Sequence, residues 1–172
     1  MKLLKEISDA SLGSGLPEQL HHSYELRKSA RAILKKADNT IAVQHLQKRH
    51  YHKLPGGGVD QGESIEEALK REVQEEVGCE CTIDTHLGVI IEYRNEQNLL
   101  HISYGFAATV QGNVFEPALE QAEIDQGMIT KWISPHEALL QMKKDVPDEY
   151  QGPFILEREK AFLEEYTRLY SK

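Results

Sequence analysis

The sequence predicts a mixed α/β fold, with one β-sheet sandwiched between helices. Three observations predict it. Strand-like alternation runs through residues 26–45, 81–110 and 128–133. An amphipathic helix at Ser64–Val77 interrupts the strands, and two helical stretches close the chain. Strands, a helix, strands and then helices is the order of a sheet covered on both faces.

The elements follow in order. Leu3, Leu4 and Ile7 predict one or two helical turns, and Ser11-Leu12-Gly13-Ser14-Gly15-Leu16-Pro17 breaks any regular element. Residues 1–22 therefore read as an N-terminal extension: an added cover, a dimer arm or a mobile tail. His21-His22 reads as surface. From Leu26 to Lys35, alternating Ala30, Ala32 and Leu34 predict a strand. Asp38-Asn39 is a turn, and Ile41, Val43 and His45 alternate in a second strand. Lys48, Arg49, His50, His52 and Lys53 form a basic cluster, either a phosphate contact or a solvated hairpin.

Ser64 and Glu67 have capping-box spacing. Ile65, Leu69, Val73 and Val77 make an apolar stripe, and Gly78 sits where a left-handed residue ends a helix. Cys81–Tyr93 and Leu100–Val110 predict two long strands, the second ending at Gln111-Gly112-Asn113. Residues 115–127 read as an irregular acidic loop. Met128–Ile133 predicts a strand carrying Trp132, and Ser134-Pro135 a helix start. Pro147 and Gly152-Pro153 read as breakers. Ile155, Phe162, Leu163, Tyr166 and Leu169 give residues 154–170 a helical face.

At 172 residues the chain is long enough for one domain with a proper core. Hydrophobic residues make up 40% and charged residues 28%, ordinary values for a globular protein. No apolar run approaches the ~20 residues that cross a bilayer, so no membrane partner is expected. Neither a signal-peptide apolar region nor a cleavage site is evident. Cys79 and Cys81 are too close in sequence for a secreted disulfide framework, so a reduced, cytoplasmic setting is the expectation. A net charge of −8 argues against a nucleic-acid surface. It leaves nucleotides open, because a metal screens phosphate.

The chemistry concentrates on the helix. At about 100° per residue, Glu76 lies about +40° and Glu75 about −60° from Glu72. The three carboxylates share one arc beside the apolar stripe. Like charges at these spacings cost roughly 0.2–0.5 kcal/mol per pair, and the second half of a helix disfavours anions. A divalent cation relieves both. Arg71 offsets part of the repulsion by pairing with Glu67 or Glu75. The preceding Leu54-Pro55-Gly56-Gly57-Gly58 lets backbone approach a ligand closely.

Gly57, Glu63, Arg71, Glu72, Val73, Glu75, Glu76 and Gly78, at this spacing, resemble the full signature box of the Nudix hydrolases. Cys79 stands where a larger aliphatic residue is usual. The resemblance implies an α/β/α sandwich with a mixed sheet and a catalytic loop–helix–loop at its edge. It places the Nudix domain at residues 23–172, although the strand order and the Trp132, Pro135, Glu137 and Ala138 stretch fit only to about residue 145. It implies that Glu72, Glu75, Glu76 and the Gly56 carbonyl hold Mg2+, with Mn2+ as the alternative. It also implies that Glu63 and Arg71 brace the loop against the helix. The general base is a box glutamate or a downstream one, Glu120 or Glu123; Glu116 is a weaker choice.

The implied reaction is hydrolysis of a nucleoside diphosphate linked to a moiety X, a small-molecule nucleotide substrate. Asn95 stands where ADP-ribose branches carry proline, Tyr93 is off register for dinucleoside polyphosphate branches, and no coenzyme A signature is evident. A (deoxy)nucleoside triphosphate or modified nucleotide is favoured by elimination. ADP-ribose or dinucleoside polyphosphate hydrolysis, a non-catalytic nucleotide-sensing module and an isoprenoid diphosphate isomerase are the alternatives, and a homodimer is left open. His45, His86 and His101 read as structural, and Tyr93, Tyr104 and Phe106 as core aromatics before base-stacking ones.

Overall fold

The computed structural model describes residues 1–14 and 23–170. Its strands are β1 (Leu3–Ser8), β2 (Glu25–Lys35), β3 (Ile41–Leu46), β4 (Tyr51–Lys53), β5 (Glu80–Arg94), β6 (Leu99–Gln111) and β7 (Met128–Ile133). Its helices are α1 (Ile65–Val77), α2 (Gln121–Asp125), α3 (Pro135–Met142) and α4 (Gly152–Tyr170). The strands form one mixed sheet in the order β1-β5-β6-β2-β3-β4, with β7 paired to β3. β1 runs parallel to β5 and β2 parallel to β6; the other pairs are antiparallel.

Period-two alternation on β2 sorts the layers. Ala30, Ala32 and Leu34 pack with Leu69, Val73 and Val77 of α1. Ile33 faces the other way, into a core with Val43, Ile90, Phe154, Phe162 and Leu163 beneath α3 and α4. The helix predicted from Ser64 forms as expected. The Ser64 hydroxyl accepts the Glu67 N–H at 3.2 Å, Glu67 accepts the Ser64 N–H at 2.9 Å, and Gly78 ends the helix at φ 76°. At Gly78 a Cβ would lie 2.3 Å from the Phe115 carbonyl oxygen, so close approach as well as conformation requires glycine.

Three expectations are corrected. The N-terminal turns predicted around Leu3 and Ile7 are the edge strand β1, and Ile7 is fully buried. Six residues beside β5 satisfy their backbone by pairing, at an edge no local pattern reveals. The acidic loop contains α2, because Glu120 and Glu123 form a capping box. Gly152-Pro153 opens α4 instead of breaking it, since a first-turn proline needs no N–H partner. The readings of Gly15–Pro17 and His21-His22 lie outside the described residues.

A buried polar layer joins α4 to the sheet. Arg158 donates to Glu92 at 2.9 Å and to Glu159 at 2.6 Å, and Arg94 donates to Glu92 at 2.7 Å. His101 Nε2 lies 2.9 Å from Ser29 Oγ, and its Nδ1 lies 3.6 Å from Glu92. Burial pushes the His101 imidazole down to about 4, despite Glu92 beside it. Burial pushes Glu92 up, but Arg158, His101 and Arg94 outweigh it and hold the carboxyl well below its ordinary range.

Both shifts carry the same sign for stability. Between about pH 6.5 and 4 the unfolded chain protonates His101 and the folded chain does not, so stability falls with pH. Below about 4.5 the unfolded Glu92 takes up a proton that the folded carboxylate refuses, and stability falls further. The histidine term is of the order of 3 kcal/mol at most. The expected result is a urea midpoint that drops between pH 7 and 5 in the wild type and drops less in His101→Gln. Parallel pH dependences would contradict it.

Candidate active site

The glycine turn is docked on β2 by its backbone. Ala30 N–H donates to Gly57 O at 3.0 Å, Ala32 N–H to Pro55 O at 2.9 Å, and Val59 N–H to Lys28 O at 3.1 Å. Gly56 has φ 128°, and a Cβ there would lie 2.1 Å from the Ala30 carbonyl oxygen. A Cβ on Gly57 would meet the Glu72 carboxylate at 2.4 Å. The bare backbone thus presses against the acidic face of α1.

Arg71 holds the turn to the helix, as the resemblance implies. It donates to Glu63 Oε1 at 3.0 Å, Glu72 Oε1 at 2.9 Å, Glu75 Oε2 at 3.1 Å and Gly58 O at 3.0 Å. Of its two anticipated partners it takes Glu75; Glu67 is engaged by the cap. Glu63 also accepts the Asp60 N–H at 3.1 Å, so it ties loop and arginine together.

Glu76 is 2% exposed. Its Oε1 takes the Lys53 ammonium at 2.7 Å and its Oε2 the Gly56 N–H at 2.6 Å. Burial pushes its carboxyl up, but Lys53 and the Gly56 N–H outweigh that and hold it below its ordinary value. Glu72 moves the other way: burial and the Glu76 charge push it up against the pull of Arg71. Burial and a hydrogen bond with Glu76 push Glu123 up to about 7.

A cleft of about 360 Å³ gathers these groups. Gly56, Arg71, Glu72, Glu75, Glu76, Glu120 and Glu123 all line it, so the downstream acids and the box meet in one place. Glu63 contributes through Arg71. Among the described residues no group of three His, Cys, Asp or Glu side chains is arranged as a metal site, and Arg71 and Lys53 engage the carboxylates. The donor set nevertheless fits a hard divalent cation. It offers carboxylate and carbonyl oxygens, Glu72 is disfavoured as a free anion, and the Lys53 ammonium already marks a cation-seeking position on Glu76.

The sequence reading missed three cationic residues of this cleft as individual roles. Lys53 was seen only within a basic cluster, most of which lies elsewhere. His52 is buried on Asp145, with Nδ1 at 3.0 Å, and Arg49 pairs with Glu149. Arg27 and Arg31 also line the cleft. Their spacing of four on a strand puts them on one face of β2, the one signal available. His101, His45 and Phe106 are structural: His101 bonds Ser29, His45 stacks on His52, and Phe106 is fully buried.

The family model described as NUDIX domain matches residues 25–152 of the chain. A Bacillus subtilis (strain 168) protein named "Putative 8-oxo-dGTP diphosphatase" is 36% identical over 84 residues, 48% of this chain and 49% of the relative. The chain spans about half the length of that relative. A NUDIX hydrolase from Nitrosomonas europaea is 17% identical with a TM-score of 0.62, over 84% of this chain and 90% of that one. The MutT protein of Methanosarcina mazei Go1 is 19% identical with a TM-score of 0.55, over 85% and 99%. At such identities the structural likeness shows the shared mixed α/β fold. Among the described residues no helix is long and apolar enough to cross a membrane.

Proposed function

The chain belongs to the Nudix family, and from that premise we propose that it hydrolyses the phosphoanhydride of a (deoxy)nucleoside triphosphate or a modified nucleotide. The observation that carries the reading is the convergence of Glu72, Glu75, Glu76, Glu120 and Glu123 with the glycine backbone in one cleft. The name of the Bacillus subtilis relative supports an oxidised guanine nucleotide as one substrate to test.

Glu72, Glu75, Glu76 and the Gly56 carbonyl would hold the cation, Mg2+ first and Mn2+ second. When bound, such an ion neutralises non-bridging phosphate oxygens and lowers the pKa of a ligated water. The protein's own residues supply positioning. Arg71 and Glu63 fix the turn, and Gly57 lets the phosphate chain approach Glu72 without a side chain between. Glu123, which lines the same cleft as the box glutamates, is the proposed base for the attacking water. Water attack on one phosphorus breaks one P–O bond and leaves a nucleotide and a phosphorylated product. The small-molecule substrate and the free thiols of Cys79 and Cys81 suit a cytoplasmic enzyme.

The test is a panel of canonical and oxidised nucleoside triphosphates, ADP-ribose and dinucleoside polyphosphates, assayed with Mg2+ and with Mn2+. Nucleoside monophosphate plus pyrophosphate is the expected product pair. Tight nucleotide binding without products across the panel would replace hydrolysis with nucleotide sensing.

A further inference from the structure

The buried charges on the α4-facing side of β2 do not balance. Arg31, Arg94 and Arg158 oppose Glu92 and Glu159, and all of them are buried. Three guanidinium groups against two carboxylates leave one positive charge over. The hydrogen bonds show where it sits. Arg158 bonds both carboxylates, and Arg94 bonds Glu92. Arg31 is left facing Glu159 across 3.7 Å, beyond hydrogen-bond distance. Its Nε and Nη1 have no hydrogen-bond partner.

Arg31 is 7% exposed, and it lines the cleft beside the glycine turn. The Cα of Arg31 lies 3.1 Å from the place a Gly56 Cβ would take, so its anchor is locked to that turn. Glu72 and Glu76 also attract it, but in the proposed reaction those carboxylates serve the cation. Burying donors without acceptors is costly. A buried cation of this kind at the wall of a cleft is a binding group whose acceptors come with the ligand. A planar guanidinium matches the paired oxygens of a phosphate, and the sheet and α4 hold it ready.

We propose that Arg31 is a phosphate-binding residue of the cleft, taking non-bridging oxygens of the substrate's phosphate chain, with Arg27 as a second contact at the rim. The proposal rests on reading the cleft as a phosphoanhydride site. The ligand class is a pyrophosphate or a nucleoside polyphosphate. Because Arg31 grips phosphate in the ground state and the transition state alike, its loss weakens binding more than it slows chemistry.

Pyrophosphate titrated calorimetrically into the full chain with Mg2+ tests this apart from turnover. Wild type should bind, Arg31→Gln should bind about tenfold or more weakly, as expected for a lost charge-assisted pair, and Arg31→Lys should fall between. With nucleotide, KM should rise by a similar factor in Arg31→Gln while kcat changes less. Should Arg31→Gln fail to fold, the wild type still reports. Its Arg31 Nε–Hε NMR resonance, assigned by its absence in Arg31→Lys, should shift on adding pyrophosphate. Equal affinities, absent wild-type binding or an unmoved resonance would overturn the proposal. Arg31-dependent pyrophosphate binding with no hydrolysis across the nucleotide panel would sink the enzymatic reading and keep this one; hydrolysis with an Arg31-independent KM would do the reverse.

Discussion

Glu76→Gln is expected to reduce turnover at least about a thousandfold while the chain stays folded, because in the proposed reaction several kcal/mol of transition-state charge stabilisation depend on the cation it would hold. The amide has nearly the shape of the carboxylate and can still accept the Gly56 N–H, now made to Glu76 at 2.6 Å. What disappears is the charge. Glu76 sits 2% exposed at the junction of α1, the glycine turn and β4. The Lys53 ammonium would lose its counter-ion, but at 15% side-chain exposure it keeps some access to water. The variant should keep its far-UV circular dichroism and a cooperative urea transition. A folded Glu76→Gln protein with wild-type turnover would remove the basis of the proposed reaction.

Arg158→Met is expected to destabilise the fold by about 3–5 kcal/mol, the cost of breaking a buried ion pair from one side. Arg158 is 1% exposed, and Glu92 and Glu159 are fully buried. Methionine fills the volume but leaves Glu159 facing only Arg31 and leaves Glu92 with Arg94 and His101. Folded domains are stable by only about 5–15 kcal/mol, so this is a large share. The urea midpoint should fall with the m-value unchanged. A loss below about 1 kcal/mol would show that the layer contributes little and that Arg94 suffices for Glu92. Removing Glu92 and Glu159 as well should not recover the loss, because Arg94 and Arg31 would then be buried without carboxylate partners.

The two results would separate parts of the molecule that differ in how far they can be read along the chain. The turn, α1, its cap and its acidic arc are local. Ser64 caps through Glu67 three residues on, and Arg71 reaches Glu75 one helical turn away. Spacing alone encodes such contacts. The downstream acids were legible only as two alternatives; Glu120 and Glu123 turned out to share α2's capping box and the same cleft. β1 was misread because six residues carry too little pattern to distinguish a turn of helix from an edge strand whose partner, β5, begins more than seventy residues later.

The order of the amino acids was thus enough for the family, for the helix that follows Ser64 and for the acidic arc on which the proposed cation site rests. These rest on backbone periodicity and on contacts within a few residues. Folding in three dimensions was needed to bring Lys53 onto Glu76, to seat Gly57 against Glu72, and to leave Arg31 short of acceptors at the cleft wall. Those facts depend on the register of β2 beside the turn and on the docking of α4, and a charge has no meaning as surplus until every buried neighbour is in place.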